Sequence, residues 1–209
     1  MKKILLLIIL IYSFNSNAQT ITIPDAQFEQ ALISSGIDTD GIINQQISTN
    51  DALAVRNLNL GPGPGYLIFD PFLTLNLSGL ENFVNIEYLN LTVRRLQNGV
   101  NLNGLVNLKM LLLNNTLLND IDLSTNVSLE YLEIGNIPDA LSFTQIENIN
   151  LSNNPNVNLL SCEGLYTLRE INLNNNNNVN IPNMRINLNT VLGDTFPNVC
   201  IQIDNINAA

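Results

Sequence analysis

Carboxylate pairs are the residues of this chain whose types and spacing could support acid–base chemistry. They are Asp38 with Asp40, Asp120 with Asp122, and Glu130 with Glu133. Glycoside hydrolysis needs two carboxylates at a fixed separation, and pairs as common as these do not define a distance in space. We therefore expect each pair to lie in a solvated turn or on a strand surface.

The sequence has no histidine, which removes the usual general base near neutral pH and the commonest metal ligand. The two cysteines, Cys162 and Cys200, cannot form a four-cysteine zinc site. No assembled set of nucleophile, base and orienting group is evident. The sequence therefore predicts a protein that is not an enzyme and has no cofactor or metal site.

One short motif, Asp38-Thr-Asp-Gly41, is similar to the middle of an EF-hand loop. In that alignment the first and twelfth loop positions are Gly36 and Ile47, so two essential calcium ligands are missing. A turn is the favoured interpretation, and weak calcium binding at Asp38 and Asp40 stays open.

The N-terminus has the three-part pattern of a secretory signal peptide. Two lysines precede an apolar run over residues 4–12, and a polar stretch ends at Ala18. The apolar run is too short for an ordinary transmembrane helix. We predict a signal peptide over 1–18 with cleavage after Ala18, and hence a secreted or cell-surface protein without membrane insertion.

The charge balance excludes some partners. Without the signal peptide, six cationic residues face 18 acidic ones, a formal charge of -12. Such a field repels phosphate backbones and anionic lipid surfaces. We therefore expect no nucleic-acid partner.

A short apolar-x-x-apolar-x-apolar unit recurs along the chain. The segments are VRNLNL (55–60), IEYLNL (86–91), LKMLLL (108–113), LEYLEI (129–134), IENINL (146–151), LREINL (168–173) and FPNVCI (196–201). Alternation at the fourth and sixth positions puts two side chains on one face of a short strand, which one strand cannot bury alone. Stacked units would form a parallel sheet and a quasi-one-dimensional solenoid.

These segments resemble the leucine-rich repeat family, whose unit is LxxLxLxxNxL. In LKMLLLNNTLL (108–118) four leucines fill the leucine positions and Thr116 stands at the asparagine position. Asn154 and Asn176 occupy that position in later segments. Other residues stand there elsewhere, namely Gly63, Arg94 and Ile137. An inward amide both donates and accepts, so it can bond the backbone groups that the turn after each strand leaves unpaired.

The five consecutive asparagines at 174–178 test this assignment. Asn-rich runs are often disordered, so composition alone suggests a low-complexity tract. The repeat instead predicts that Asn176 points inward in the amide ladder, while Asn175 and Asn177 fill the turn.

The chain is also similar to secreted bacterial leucine-rich repeat proteins of the internalin type, over nearly all of residues 23–205. Residues 23–44 resemble their N-terminal capping segment, and VCIQIDN resembles the start of their terminal segment. The resemblance implies an α/β-class leucine-rich repeat solenoid with short parallel strands, an irregular convex side and an N-terminal capping helix, which we predict over 24–35. The predicted parts are the signal peptide (1–18), the cap (19–50), about seven repeats (51–205) and a C-terminal end (206–209).

Where the resembled proteins continue to a further cysteine and a sorting domain, this sequence stops at Ala209. Two expectations stay open, truncation of the sequence or a member without its terminal module. Pairing of Cys162 with Cys200 also stays open, because the two thiols must come within disulfide reach.

The outward positions of the strands suggest a binding surface. Adjacent repeats should bring Tyr88, Met110 and Tyr131 together, with Leu112 and Glu133 beside them. Aromatic residues and methionine on an amide-lined surface have the composition of an interaction patch, although lateral packing on a sheet explains them equally well.

By resemblance, we expect a monomeric, non-catalytic module that recognises protein or glycan ligands, or adheres, through its concave sheet. The alternatives are a polysaccharide-active enzyme on a parallel β-helix, and a structural spacer from a larger surface protein. A β-helix requires two or three strands in each coil, whereas the sequence shows one clear apolar alternation per period.

Overall fold

The computed structural model of the chain describes residues 19–61, 74–97, 99–136, 144–175, 183–187 and 199–203. The predicted signal peptide, Asn176 and Asn177, and the C-terminal end at 206–209 lie outside these residues.

The N-terminal part is a small hairpin with two helices. Strands β1 (Thr20–Thr22) and β2 (Gln46–Ser48) pair antiparallel, with Ile21 opposite Ile47. Between them lies helix α1 (Ala26–Ser34), and helix α2 (Thr49–Ala54) follows β2 directly. The sequence did not predict α2, whose N-cap Ser48 accepts a hydrogen bond from the Asp51 N–H at 3.1 Å.

Helix α1 lies within residues 24–35, where the sequence predicts a helix. Asp25 is its N-cap, and its Oδ1 accepts the N–H groups of Gln27 and Phe28 at 2.8 and 3.1 Å. Gly36, at φ +68°, follows its end. The buried Phe28 ring lies 6.4 Å from the Phe83 ring, so the helix packs on the first coil of the solenoid.

A buried carboxylate on this helix holds the loop that follows it. Glu29 is fully buried, and its two oxygens accept the N–H groups of Asn44, Gln45 and Gln46 at 2.9, 2.9 and 3.1 Å. Three N–H donors are the kind of compensation that a buried charge requires. Nothing in the spacing of the sequence pointed to this role for Glu29.

The rest of the described chain is a parallel β-solenoid. Its strands are β3 (Asn57–Asn59), β4 (Thr74–Leu75), β5 (Tyr88–Asn90), β6 (Arg95–Leu96), β7 (Met110–Leu112), β8 (Tyr131–Gly135), β9 (Asn148–Asn150), β10 (Leu159–Glu163), β11 (Glu170–Leu173), β12 (Asn183–Asn187) and β13 (Cys200–Ile203). A short 3-10 helix covers Leu80–Asn82.

Six of these strands form one parallel sheet, which we call the large sheet. Its order is β12-β10-β8-β7-β5-β3. Three others form the small sheet, in the order β13-β11-β9, and β4 pairs with β6 alone. All of these pairs are parallel.

This topology corrects the prediction of about seven repeats stacked in one sheet. The small sheet contains the segments at 146–151 and 168–173, and β13 after them. Strand β10 of the large sheet comes from VNLLSC (157–162), which is not among the recurring segments predicted from the sequence. From β8 onward the chain therefore alternates between two sheets. The expectation of one strand per period was wrong there, because an apolar strand facing either side of the interior has the same period of two.

Both sheets enclose a common interior of aliphatic side chains. One inward row of the large sheet consists of Leu58, Leu89, Leu111, Leu132 and Leu160. On the opposite side, Ile149 and Ile171 pair between β9 and β11. All of these residues are at most 1% exposed and belong to a single core cluster. The rows confirm the inward positions expected from the repeat.

The side of the solenoid that carries the small sheet is closed by a column of inward amides. Asn126 Nδ2 donates to the backbone oxygens of Leu102 and Leu105, both at 3.0 Å. One coil later, Asn154 Nδ2 donates to Leu123 O at 3.0 Å and to Asn126 O at 2.8 Å. Both asparagines are fully buried, and each points inward at the turn that follows its coil's apolar segment.

Asn175 continues the same column. Its Nδ2 donates to Asn154 O at 3.0 Å, and the residue is 2% exposed. Asn175 was expected to fill the turn and Asn176 to occupy the ladder position, whereas the inward amide of this coil is Asn175, one residue earlier than the repeat spacing places it. Asn176, the expected ladder residue, is outside the described residues.

Thr116 belongs to a different turn, at the carboxyl end of the large sheet. It is fully buried, its Oγ1 donates to Leu113 O at 3.0 Å, and its N–H donates to Thr144 Oγ1 at 3.1 Å. In the preceding coil Arg94 takes the equivalent place, and its Nε donates to Leu60 O. The position that the repeat unit assigns to asparagine is therefore filled by three different kinds of donor, namely Arg94, Thr116 and Asn154.

Candidate functional site

The candidate site is the outer face of the large sheet, where the predicted patch lies. Strand register places Tyr88 opposite Met110 and Met110 opposite Tyr131. The next strand adds Leu159 opposite Tyr131. We call these four residues the aromatic row. The neighbourhood of Tyr88, Met110 and Tyr131 is confirmed, and Leu159 was missed because its segment was not recognised as a strand.

The aromatic row is accessible to solvent. Tyr88, Tyr131 and Leu159 are half-buried, and Met110 is 37% exposed. Adjacent strands lie about 4.8 Å apart, so the two tyrosines stand roughly 9.6 Å apart with the methionine between them. An interrupted line of aromatic and thioether groups is the composition that recognition surfaces favour.

A second outward row runs beside it. Register pairs Asn59, Asn90, Leu112 and Glu133 in turn, and Ser161 follows Glu133. Leu112 and Glu133 therefore lie next to the aromatic row, as predicted. Arg185 of β12 pairs with Ser161 and ends this second row.

Glu133 is held in place by two neighbours. The Tyr131 hydroxyl donates to its Oε2, and Asn114 Nδ2 donates to its Oε1. Burial raises the pKa of Tyr131 to about 12, with the hydrogen bond and negative charge of Glu133 adding to the effect. The phenol is therefore neutral at physiological pH and acts as a hydrogen-bond donor.

Charged residues at the entrance to these strands form an ion chain. Glu87 accepts Arg56 Nη1 at 3.1 Å and Lys109 Nζ at 2.9 Å. The hydrogen bond and charge of Lys109 lower the pKa of Glu87, and Glu87 raises the pKa of Lys109 in return. Arg56 and Lys109 are thus already paired with an acid, and Arg185 is the third cation near this face.

The outer face of the small sheet has a different composition. Its outward pairs are Asn148 with Glu170, Glu170 with Cys200, Asn150 with Asn172, and Asn172 with Gln202. Gln202 Nε2 donates to Glu170 Oε1. Amide and carboxylate side chains therefore hydrogen-bond to one another on this face. Among the described residues, no aromatic side chain lies on its outward positions.

Many of the outward asparagines have a local structural role. On the small-sheet side, one residue in each coil accepts the N–H of the residue two positions later, at 2.9–3.1 Å: Asn76, Asn101, Asp122, Asn150 and Asn172. This is the Asx turn, in which the side chain replaces a backbone partner. On the large sheet Asn59 and Asn90 do the same for Gly61 and Thr92.

Leu112 and Glu133 depart from that pattern. They follow Asn59 and Asn90 in register, yet the leucine has no acceptor and the glutamate is directed to Tyr131 and Asn114. Asn90 beside Tyr88 keeps its turn, whereas the chain gives up a turn-forming side chain beside Met110 and Tyr131. Departures from a local structural rule are expected at functional sites.

The two cysteines lie apart. Cys162 is an inward residue of β10, fully buried, and burial raises its pKa to about 12; Cys200 is an exposed residue of β13 in the other sheet. Both are free thiols.

The acidic loop at Asp38 and Asp40 is organised by its own donors. Asp40 Oδ1 accepts the Ile42 N–H at 2.8 Å, and its Oδ2 accepts Asn44 Nδ2 at 2.8 Å. Burial and the charge of Asp40 raise the pKa of Asp38. Among the described residues, no group of three or more potential metal ligands converges on one point.

In each of the other two carboxylate pairs, one carboxylate is engaged by a neighbouring residue. Asp122 belongs to the Asx turns, where the hydroxyl and N–H of Ser124 lower its pKa. Glu130 is exposed at the entrance to β8, while Glu133 is directed to Tyr131.

No protein-family model matches the sequence, and no curated protein matches it. Across the part of the chain that the structure describes, no helix has both the length and the apolar character needed to cross a bilayer.

Proposed function

We propose that this chain is a secreted, non-catalytic recognition or adhesion module of the leucine-rich repeat type, which binds a protein or glycan ligand through the outer face of the large sheet. The observation that carries the proposal is the departure at Leu112 and Glu133. Beside Met110 and Tyr131, the outward side chain serves the surface and no longer the turn.

The repeat-family assignment rests on the first strands of the large sheet. Their inward leucines follow the unit that the resemblance implies, and Arg94 and Thr116 donate hydrogen bonds from the position where that unit has asparagine. In this proposal helix α1 caps the first coil, because Phe28 and Leu32 cover apolar side chains that would otherwise face water.

Secretion is supported by the sequence of residues 1–18 and by the acidic balance of the rest. Two free cysteines are compatible with a secreted or an intracellular protein, so the predicted signal peptide is the main support for secretion. The proposed protein is a monomer, because a ligand that binds one face requires only one copy of the chain.

The proposal can be tested with a matched pair of variants. Tyr88→Ser with Tyr131→Ser removes both rings of the aromatic row, which stand two strands apart. Asn148→Ser with Cys200→Ser changes two outward residues of the small sheet, also two strands apart. Each protein would be screened by surface plasmon resonance against a glycan array and against proteins of the cell envelope.

We expect the tyrosine variant to lose binding to any ligand that the unmodified chain retains, while the small-sheet variant binds as before. Circular dichroism spectra of both variants should match the unmodified chain. Unchanged binding by the tyrosine variant would overturn the proposal.

A second candidate function is a polysaccharide-active enzyme, and one observation favours it. From β8 onward the chain alternates between two sheets, as in a parallel β-helix. Glu133 and Glu163 both point outward from neighbouring strands, two positions apart along the sheet, so their Cα atoms lie roughly 8 Å apart.

Release of reducing sugar from a panel of polysaccharides tests this candidate. An enzyme that uses the pair would release sugar and lose about 10²-fold or more of that activity in Glu133→Gln or Glu163→Gln. If the unmodified chain releases no reducing sugar, ligand recognition remains the proposed function of this face.

A further inference from the structure

The aromatic row also indicates which conformation of ligand fits it. We propose that the ligand is a basic, proline-rich protein segment in the polyproline II conformation, lying across the strands with one turn spanning Tyr88 to Tyr131. This inference rests on the proposed function, because it names the partner of the same face.

The first argument is spacing. The two tyrosines are separated by two strands, or roughly 9.6 Å. A polyproline II helix repeats every three residues and rises about 3.1 Å per residue, so one turn spans about 9.3 Å. Residues three apart on such a helix therefore meet the two rings in succession, with Met110 beneath the residues between them.

The second argument is that backbone pairing is not available on this face. Strands β5, β7 and β8 are each paired on both edges, so their N–H and C=O groups are consumed within the sheet. A ligand that adds as a β-strand would need an open edge. A polyproline II segment needs none, because it makes no ladder and is recognised through aromatic side chains.

The third argument is charge. Glu130, Glu133 and Glu163 lie around the Tyr131 end of the row, and only Arg185 lies on the same part of the face without an acidic partner in a described ion pair. Arg56 and Lys109 are already paired with Glu87. The chain as a whole carries a formal charge of -10. Arginine or lysine side chains of a ligand can therefore stack on the tyrosine faces and approach the carboxylates.

Direct binding to designed peptides tests the inference. The probes are a fluorescein-labelled peptide of four Pro-Pro-Arg triplets, a peptide of the same composition whose four arginines alternate with single prolines in the middle of the chain, and a peptide of four Pro-Pro-Glu triplets. Binding to the full chain, expressed with its own leader, would be measured by fluorescence anisotropy at low and high salt.

We expect the triplet arginine peptide to bind, the reordered peptide to bind at least about tenfold more weakly, and the glutamate peptide not to bind. Added salt should weaken the first interaction. Tyr88→Ser with Tyr131→Ser should abolish it, and Asn148→Ser with Cys200→Ser should leave it unchanged.

Equal affinity for the two arginine peptides would overturn the spacing argument, and absence of peptide binding would overturn the whole inference. Retention of a glycan by the unmodified chain, lost in the tyrosine variant, would also overturn it while leaving the proposed function intact. A ligand that is retained equally by the tyrosine variant would instead remove the proposed function.

Discussion

The two sheets of the solenoid share one interior but present different outer faces. Behind both, the leucine and isoleucine rows are almost completely buried as far as β10 in the large sheet and β11 in the small sheet. In front, the large sheet carries Tyr88, Met110, Tyr131 and Leu159, whereas the small sheet carries asparagine, glutamine and glutamate. Burial alone therefore does not account for the aromatic row.

The difference shows which outward residues the backbone requires. On the small-sheet side, the outward asparagines close Asx turns in coil after coil. On the large sheet this role is filled at Asn59 and Asn90 and then abandoned at Leu112 and Glu133. A face that gives up a structural side chain in favour of apolar and charged groups is better explained by a ligand than by folding.

The largest expected effect tests whether both sheets contribute side chains to one common core. Leu132→Ala behind the large sheet and Ile171→Ala behind the small sheet each remove a fully buried aliphatic side chain. Each should lower the free energy of unfolding by about 2–5 kcal/mol, measured by urea denaturation. A loss below about 1 kcal/mol in either variant would show that its sheet is not part of a common core.

The next effect separates inward from outward asparagines. Asn154→Ala removes two buried hydrogen bonds, to Leu123 O and Asn126 O, and should cost about 2 kcal/mol in the same denaturation experiment. The neighbouring Asn153 is exposed, and Asn153→Ala should change stability by less than about 0.5 kcal/mol. Equal losses in the two variants would remove the distinction.

Within the asparagine tract the same reasoning ranks two neighbours. Asn175 is buried and bonds Asn154 O, whereas Asn174 is exposed. Asn175→Ala should therefore destabilise the chain by about 1 kcal/mol more than Asn174→Ala. A reversed order in urea denaturation would contradict the inward assignment of Asn175.

The pH dependence of stability tests the electrostatics of the large-sheet face. Tyr131 keeps its proton up to a pKa of about 12, against an ordinary value of 10.0 for the unfolded chain. Between these values the folded state binds the extra proton, so stability falls as pH rises through this interval. Tyr131→Phe should lack this part of the alkaline loss, and a Tyr131→Phe curve parallel to that of the unmodified chain would contradict the assignment.

The smallest effect on stability comes from restoring the turn residue. Leu112→Asn places an acceptor where Asn59 and Asn90 close their turns, and should raise the free energy of unfolding by about 0.5 kcal/mol or leave it unchanged. Ligand binding should fall, because the apolar neighbour of the aromatic row is lost. A destabilised variant with unchanged binding would show that Leu112 has a structural role only.

Part of this arrangement was predictable from the sequence. The inward leucines at Leu89, Leu111 and Leu132 follow from the recurring segments, and so does the juxtaposition of Tyr88, Met110 and Tyr131. Alternation with period two fixes which side chains share a face as soon as neighbouring strands are known.

The assignment of strands to sheets was not predictable from the same pattern. Ile149 and Ile171 alternate as Leu111 and Leu132 do, although they face the interior from the other side. The signal for β10 was present in Val157, Leu160 and Cys162, but a cysteine in an inward leucine position hides it. Aligning IDLSTN with INLSNN would have revealed Asn126 as the partner of Asn154.

The central claim, that the outer face of the large sheet binds the ligand, is tested most directly by one ratio of dissociation constants. For a ligand retained by the unmodified chain, the constant is measured by isothermal titration calorimetry for Tyr88→Ser with Tyr131→Ser and for Asn148→Ser with Cys200→Ser. The account predicts a constant at least about 10²-fold larger for the tyrosine variant, consistent with the loss of two central aromatic contacts. A ratio near one would contradict it.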